Sequence, residues 1–110
     1  MNCLICQKLV NSRWEAAFIK DYLEKNNHSW KYEPEKFILR NGMGYTPDFY
    51  IEDENLWVEI KGCKYYDRFN KTEMFPLEYP EFNYVVADYD VLRDRFGLNL
   101  SQERLHEVCA

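Results

Sequence analysis

Two short apolar runs, Thr46 to Ile51 and Leu56 to Gly62, are separated by Glu52-Asp53-Glu54-Asn55. So brief an acidic connection leaves them one arrangement, an antiparallel hairpin, because parallel strands need a crossover of a dozen or more residues. With the turn centred between Asp53 and Glu54, Asp48 falls directly opposite Glu59. A turn longer by two residues sets Asp48 opposite Lys61 instead. Alternate residues of a strand share a face. In either register Asp48, Glu59 and Lys61 therefore stand together, with Cβ atoms about 4.5–8 Å apart, while Val58 and Ile60 face the other way.

Two carboxylates facing each other on a sheet repel, and a cation between them removes the conflict. Hard oxygen donors suit Mg²⁺, which binds through one or two carboxylates and keeps water and substrate phosphate as its other ligands. Such an ion polarises a phosphodiester and lowers the pKa of an attacking water. Lys61 would position that water or offset charge on the phosphorane. The bland reading of Glu59 and Lys61 is a solvated strand face with a local ion pair.

Upstream, Ser12-Arg13-Trp14-Glu15 has the spacing of a capped helix start, and the helix should run to about Lys25. Trp14, Phe18, Ile19, Tyr22 and Leu23 fill one half of its wheel, and Glu15 lies at the centre of that apolar arc. A carboxylate there points toward the sheet, as a further acidic donor. Alternatively, it curls back to cap the helix as the partner of Ser12.

The remaining pattern gives the order α-β-β-β-α-β-α. Trp30 to Glu33 and Lys36 to Arg40 read as one β run broken by Pro34, and Asn41-Gly42-Met43-Gly44 reads as a turn. A helix is expected over Asp67 to Phe75, ended by Pro76. Phe82 to Ala87 reads as a buried central strand, pairing parallel through a right-handed crossover. Val91 to Phe96 and Ser101 to Val108 read as terminal helical pieces. The expectation is one α/β domain with an α+β-like mixed sheet. Its core spans about 12–88, between a Cys-containing head (1–11) and an acidic helical tail (89–110).

The 110 residues are 46% hydrophobic and 30% charged, which excludes a disordered or collagen-like chain. The net charge of −5 argues at face value against a polyanionic partner. However, residues 1–75 carry only −1 and residues 76–110 carry −4. With a cation offsetting the acidic pair, the charge does not exclude a nucleic acid, whose binding would then be weak, metal-dependent and salt-sensitive. No targeting segment and no membrane-length apolar run is visible. The four cysteines then read as reduced, and the expected compartment is the cytoplasm.

Other signals are weaker. Cys3-x-x-Cys6 is half a zinc site, and Zn²⁺ held by Cys3, Cys6 and Cys63 would staple the head beside the second strand of the hairpin. The plain alternative is reduced thiols. Lys64, Arg68 and Lys71 follow that strand at near-helical spacing and would track a phosphate backbone, or form a solvated face with Asp67 and Glu73. Lys31, Lys36 and Arg40 would do the same from the early strands. Tyr65 and Tyr66 would stack on a splayed base or simply pack. Tyr84, Phe49 and Trp57 read as core. His28 and His106 have no partner by spacing and receive no catalytic role.

Taken together, Glu15, Tyr45-Thr46-Pro47-Asp48-Phe49-Tyr50 and Trp57-Val58-Glu59-Ile60-Lys61-Gly62 resemble the PD-(D/E)XK nuclease superfamily. The wording is most similar to small phage nucleases of the endonuclease I, junction-resolving type. The resemblance implies a restriction-endonuclease-like αβββαβ core with helices on both faces. It also implies Mg²⁺- or Mn²⁺-dependent hydrolysis of DNA phosphodiesters, in the host cytoplasm if the chain is phage-encoded. Asp48, Glu59, the Ile60 main-chain carbonyl and Glu15 would then be metal or water ligands, with Lys61 assisting the nucleophile. A homodimer would suit two-fold DNA substrates. No membrane or small-molecule substrate is expected, and nothing in the sequence reads a 2′-hydroxyl. The competing class is a nucleic-acid or protein interaction module built on a Cys3/Cys6 zinc head, without turnover.

Overall fold

The computed structural model of the chain describes residues 13–61 and 70–100. They fall into two compact units: residues 28–59 with 70–86, and residues 13–27 with 60–61 and 87–100. Ser12, the capping partner expected for Glu15, and the helix expected over Ser101 to Val108 lie outside the described residues.

The first unit is built on a sheet in the order β1 (Trp30–Tyr32), β4 (Phe49–Ile51), β5 (Leu56–Ile60), β6 (Tyr84–Ala87). The last residues of β5 and β6, Ile60 and Ala87, belong to the other unit. β1 and β5 both run antiparallel to β4. β6 runs parallel to β5: Trp57 N–H donates to Asn83 O (2.9 Å) and, four residues on in both strands, Lys61 N–H donates to Ala87 O (3.0 Å). The sheet is thus mixed, and the chain is a mixed α/β protein. Among the described residues β6 is at the edge of the sheet rather than at the expected central position, and its first three residues are only half-buried.

The run expected over residues 30–40 does not hold together. β2 (Phe37–Ile38) leaves the main sheet and pairs instead with β3 (Gly44–Tyr45). Pro34, which has no N–H to give a ladder, follows Glu33 in a left-handed conformation (φ 46°), and the chain turns away there. Gly44 is therefore strand, not turn. The strand expected from Thr46 shortens to Phe49–Ile51, after the buried Pro47.

Helix α2 (Lys71–Glu78) carries Pro76 in its interior, so the proline does not end the helix. In so short a helix it forfeits one backbone bond. The last turn survives because Phe75 is fully buried and Tyr79, whose N–H donates to Phe75 O (2.9 Å), stacks on it and anchors its hydroxyl to Ile38 O (2.9 Å). Phe37, Leu39, Tyr45, Trp57 and Phe75 form the core on this side, edged by Tyr50, Met74, Tyr79, Phe82 and Tyr84. On the opposite side of the strands, Phe49, Ile51 and Val58 are buried, and the rings of Trp30 and Tyr32 meet Phe49 edge-on.

The second unit holds helix α1, α-helical over 13–18 and π-helical over Ile19–Glu24. The π turn draws together two residues that α geometry would set at opposite ends of the apolar arc. Phe18 and Leu23 are five apart and both fully buried, whereas α-helical spacing would turn them about 140° from each other. Helix α3 (Tyr89–Asp94) starts two residues before the expected Val91, because the Asp88 carboxylate accepts from Val91 N–H (3.0 Å) as its cap. Phe96 meets Phe18 (5.0 Å) and Tyr22 (4.8 Å) edge-on.

Candidate functional site

The β4–β5 register pairs Phe49 with Val58, Tyr50 with Trp57 and Ile51 with Leu56. Continued outward by one residue, it sets Asp48 across from Glu59. This is the register of a turn centred between Asp53 and Glu54. On the other side, Glu33 N–H donates to Asp48 O (2.7 Å), extending the β1 pairing by one residue past Tyr32. Asp48 is thus held by β1 through its carbonyl. It is 8% exposed and is the one charged residue buried among those described. Glu59 is half-buried.

Glu59 is gripped by a residue that periodicity does not single out. Tyr45, on β3, rests its ring on Phe75 (5.3 Å between centroids) and donates its hydroxyl to Glu59 Oε1 (2.9 Å). The same hydroxyl lies 2.6 Å from that of Tyr84 on β6. A phenol has one proton to give. With that of Tyr45 on Glu59, Tyr84 is the donor in the second bond. Burial, then the Glu59 carboxylate and Tyr84, push the Tyr45 pKa far above its ordinary value, so Tyr45 stays a donor. The sequence signal was present, since Tyr45 stands three residues before Asp48. Its partner strand was not, because β3 lies outside the main sheet.

Ile60 is buried directly after Glu59, and Lys61 continues the β5–β6 ladder through its N–H. Glu15 sits half-buried in the first turns of α1, next to the buried Trp14. Among the basic residues, Arg40 is exposed in the turn between β2 and β3. The ammonium of Lys71 donates to Gly44 O (3.0 Å), and Lys36 Cε fills the space that a Cβ at Gly44 would need. Lys31 pairs with Glu52 Oε2 (3.3 Å). Lys64, Arg68, Tyr65, Tyr66, Cys3, Cys6, Cys63 and His106 lie outside the described residues.

His28 has a partner after all. Because β1 lies along β4, its start meets the hairpin tip: His28 Nδ1 is 2.7 Å from Asp53 Oδ2, and Ser29 N–H donates to Asp53 Oδ1 (2.9 Å). The Ser29 hydroxyl donates to Glu52 Oε1 (2.6 Å). The His28 hydrogen bond is the main reason the Asp53 carboxyl titrates below its usual range, and the Ser29 hydroxyl, then Lys31, lower Glu52. The turn acids are thus engaged at the tip.

The Asp48–Glu59 pair offers oxygen donors alone, which fits a hard divalent cation. No group of three or more His, Cys, Asp or Glu among the described residues is placed to hold a metal ion. Two carboxylates with water and phosphate are nevertheless what Mg²⁺ usually takes from a protein. No helix among the described residues is long and apolar enough to cross a membrane. No family model, curated protein or solved structure matches the chain.

Proposed function

We propose that the chain is a Mg²⁺- or Mn²⁺-dependent DNA endonuclease of the PD-(D/E)XK type, hydrolysing phosphodiesters in branched or otherwise structured DNA. The observation that carries this reading is the buried carboxylate of Asp48 in register with Glu59. Two carboxylates set across a strand pair supply the hard oxygen donors that a divalent cation takes from a protein. The order of elements supports it: a helix, then the antiparallel β1, β4 and β5, then α2 and the parallel β6, agrees with an αβββαβ core, β2 and β3 being a small excursion.

Asp48 and Glu59 would hold the cation, and the sequence resemblance adds the adjoining Ile60 carbonyl as a further oxygen donor. The bound ion would supply Lewis-acid polarisation and a more acidic water. Lys61, two residues after Glu59, would orient the attacking water and offset charge on the phosphorane. Asp48, kept from bulk water, brings little reorganisation to the reaction. Calorimetric titration of Mn²⁺ into wild type and Asp48→Asn, beside a cleavage panel of plasmid, branched and single-stranded DNA, tests the reading. Expected are saturable Mn²⁺ binding and cleavage by wild type only. DNA binding without metal uptake or turnover would instead fit an interaction module.

A further inference from the structure

We propose that Tyr45 and Tyr84 form a two-hydroxyl brace that fixes the orientation of the Glu59 carboxylate, making Tyr45 a positioning residue for the metal-dependent site. The inference rests on the nuclease reading above and adds to it two residues from outside the acidic hairpin. Its basis is geometric. Tyr84 donates to Tyr45 (2.6 Å) and Tyr45 to Glu59 Oε1 (2.9 Å), in a single chain of hydrogen bonds. A donor to a carboxylate is stronger than one between neutral groups, and hydrogen bonds in series polarise one another.

The brace is also rigid. Phe75 packs against both tyrosine rings, at 5.3 Å from Tyr45 and 4.8 Å from Tyr84, and is itself fully buried. β3 carries Tyr45 and β6 carries Tyr84, so the carboxylate on β5 is held from two other strands. A Glu side chain has three rotatable bonds and considerable rotamer freedom. Engaging Oε1 removes much of that freedom before any ligand arrives. Partners that orient a ligating carboxylate in this way commonly matter about 10–100-fold in affinity or activity.

The experiment uses the full chain as wild type, Tyr45→Phe, Tyr84→Phe and the double variant. Phenylalanine keeps the rings on Phe75, and thermal melts establish that each variant is folded. Mn²⁺ affinity is read by calorimetry, and kcat and KM are read on the best-cleaved DNA. Tyr45→Phe should weaken Mn²⁺ binding and lower kcat, each by about 10-fold, with KM for DNA unchanged. Tyr84→Phe should do the same by about 2–3-fold. The double variant should lose less than the product of the two single losses, because Tyr84 donates to Tyr45 in the same chain of hydrogen bonds. Wild-type Mn²⁺ affinity and kcat in folded Tyr45→Phe overturn the brace and leave the nuclease standing. Additive losses in the double variant also overturn it. A wild-type protein that neither binds Mn²⁺ nor cleaves DNA overturns the nuclease and the brace together.

Discussion

Tyr45 and Glu59 share a 2.9 Å hydrogen bond although they lie on different sheets, one on β3 and the other on β5. What brings them together is the aromatic core, in which Tyr45 and Trp57 are both buried beside Phe37 and Phe75. The candidate site is therefore only as well formed as that core.

Phe75 is the test of this dependence. Its ring is fully buried, 4.9 Å from that of Phe37 and close to both tyrosines of the brace. Phe75→Ala should cost about 3–5 kcal/mol in urea unfolding, and Phe75→Leu clearly less. A loss below about 1 kcal/mol for the alanine would mean that the core does not close around this ring.

Gly42 sets the loop that returns the chain from β2 to β3. It has φ 87°, its N–H donates to Leu39 O (2.8 Å), and Leu39 N–H donates to Met43 O (2.8 Å). An added Cβ would meet nothing within 4 Å, so only the backbone conformation is at stake. Gly42→Ala should cost about 1–2 kcal/mol, and Gly42→Asn less, since asparagine tolerates this region. Equal stability of the two variants by chemical denaturation would contradict the left-handed loop.

The hairpin tip should report pH. The Asp53 carboxyl titrates below its usual range, chiefly through His28. A lowered folded-state value means that its stabilisation is fully present above the unfolded value of about 3.9 and is lost as pH falls through the folded one. The melting-temperature difference between wild type and Asp53→Asn should be greatest near neutral pH and close in strong acid. A difference independent of pH would show that the His28–Asp53 hydrogen bond contributes nothing.

The acidic hairpin was legible in the sequence because its constraints are local. A four-residue connection fixes strand direction, and counting left two registers, Asp48 opposite Glu59 or opposite Lys61, of which the structure takes the first. The parallel placement of β6 followed from the length of chain between it and β5. What the sequence hid depends on distant partners. Pro76 stays inside α2 because Phe75 and Tyr79 are anchored on either side of it, and a local rule for proline has no access to that anchoring. The π turn over Ile19–Glu24 answers to the joint burial of Phe18 and Leu23. His28 finds Asp53 only once β1 lies along β4. The Tyr45–Tyr84 contact needs three strands and a helix in place before it exists.

Cleavage of supercoiled plasmid by wild type, Asp48→Ala and Glu59→Ala, with Mg²⁺ or Mn²⁺ and with EDTA, decides whether Asp48 and Glu59 form a metal-dependent nuclease site. Wild type should give nicked or linear product with metal and none with EDTA. Each variant should lose on the order of 100-fold or more in rate while remaining folded. Full activity in Asp48→Ala or Glu59→Ala, or cleavage that persists in EDTA, would contradict that assignment.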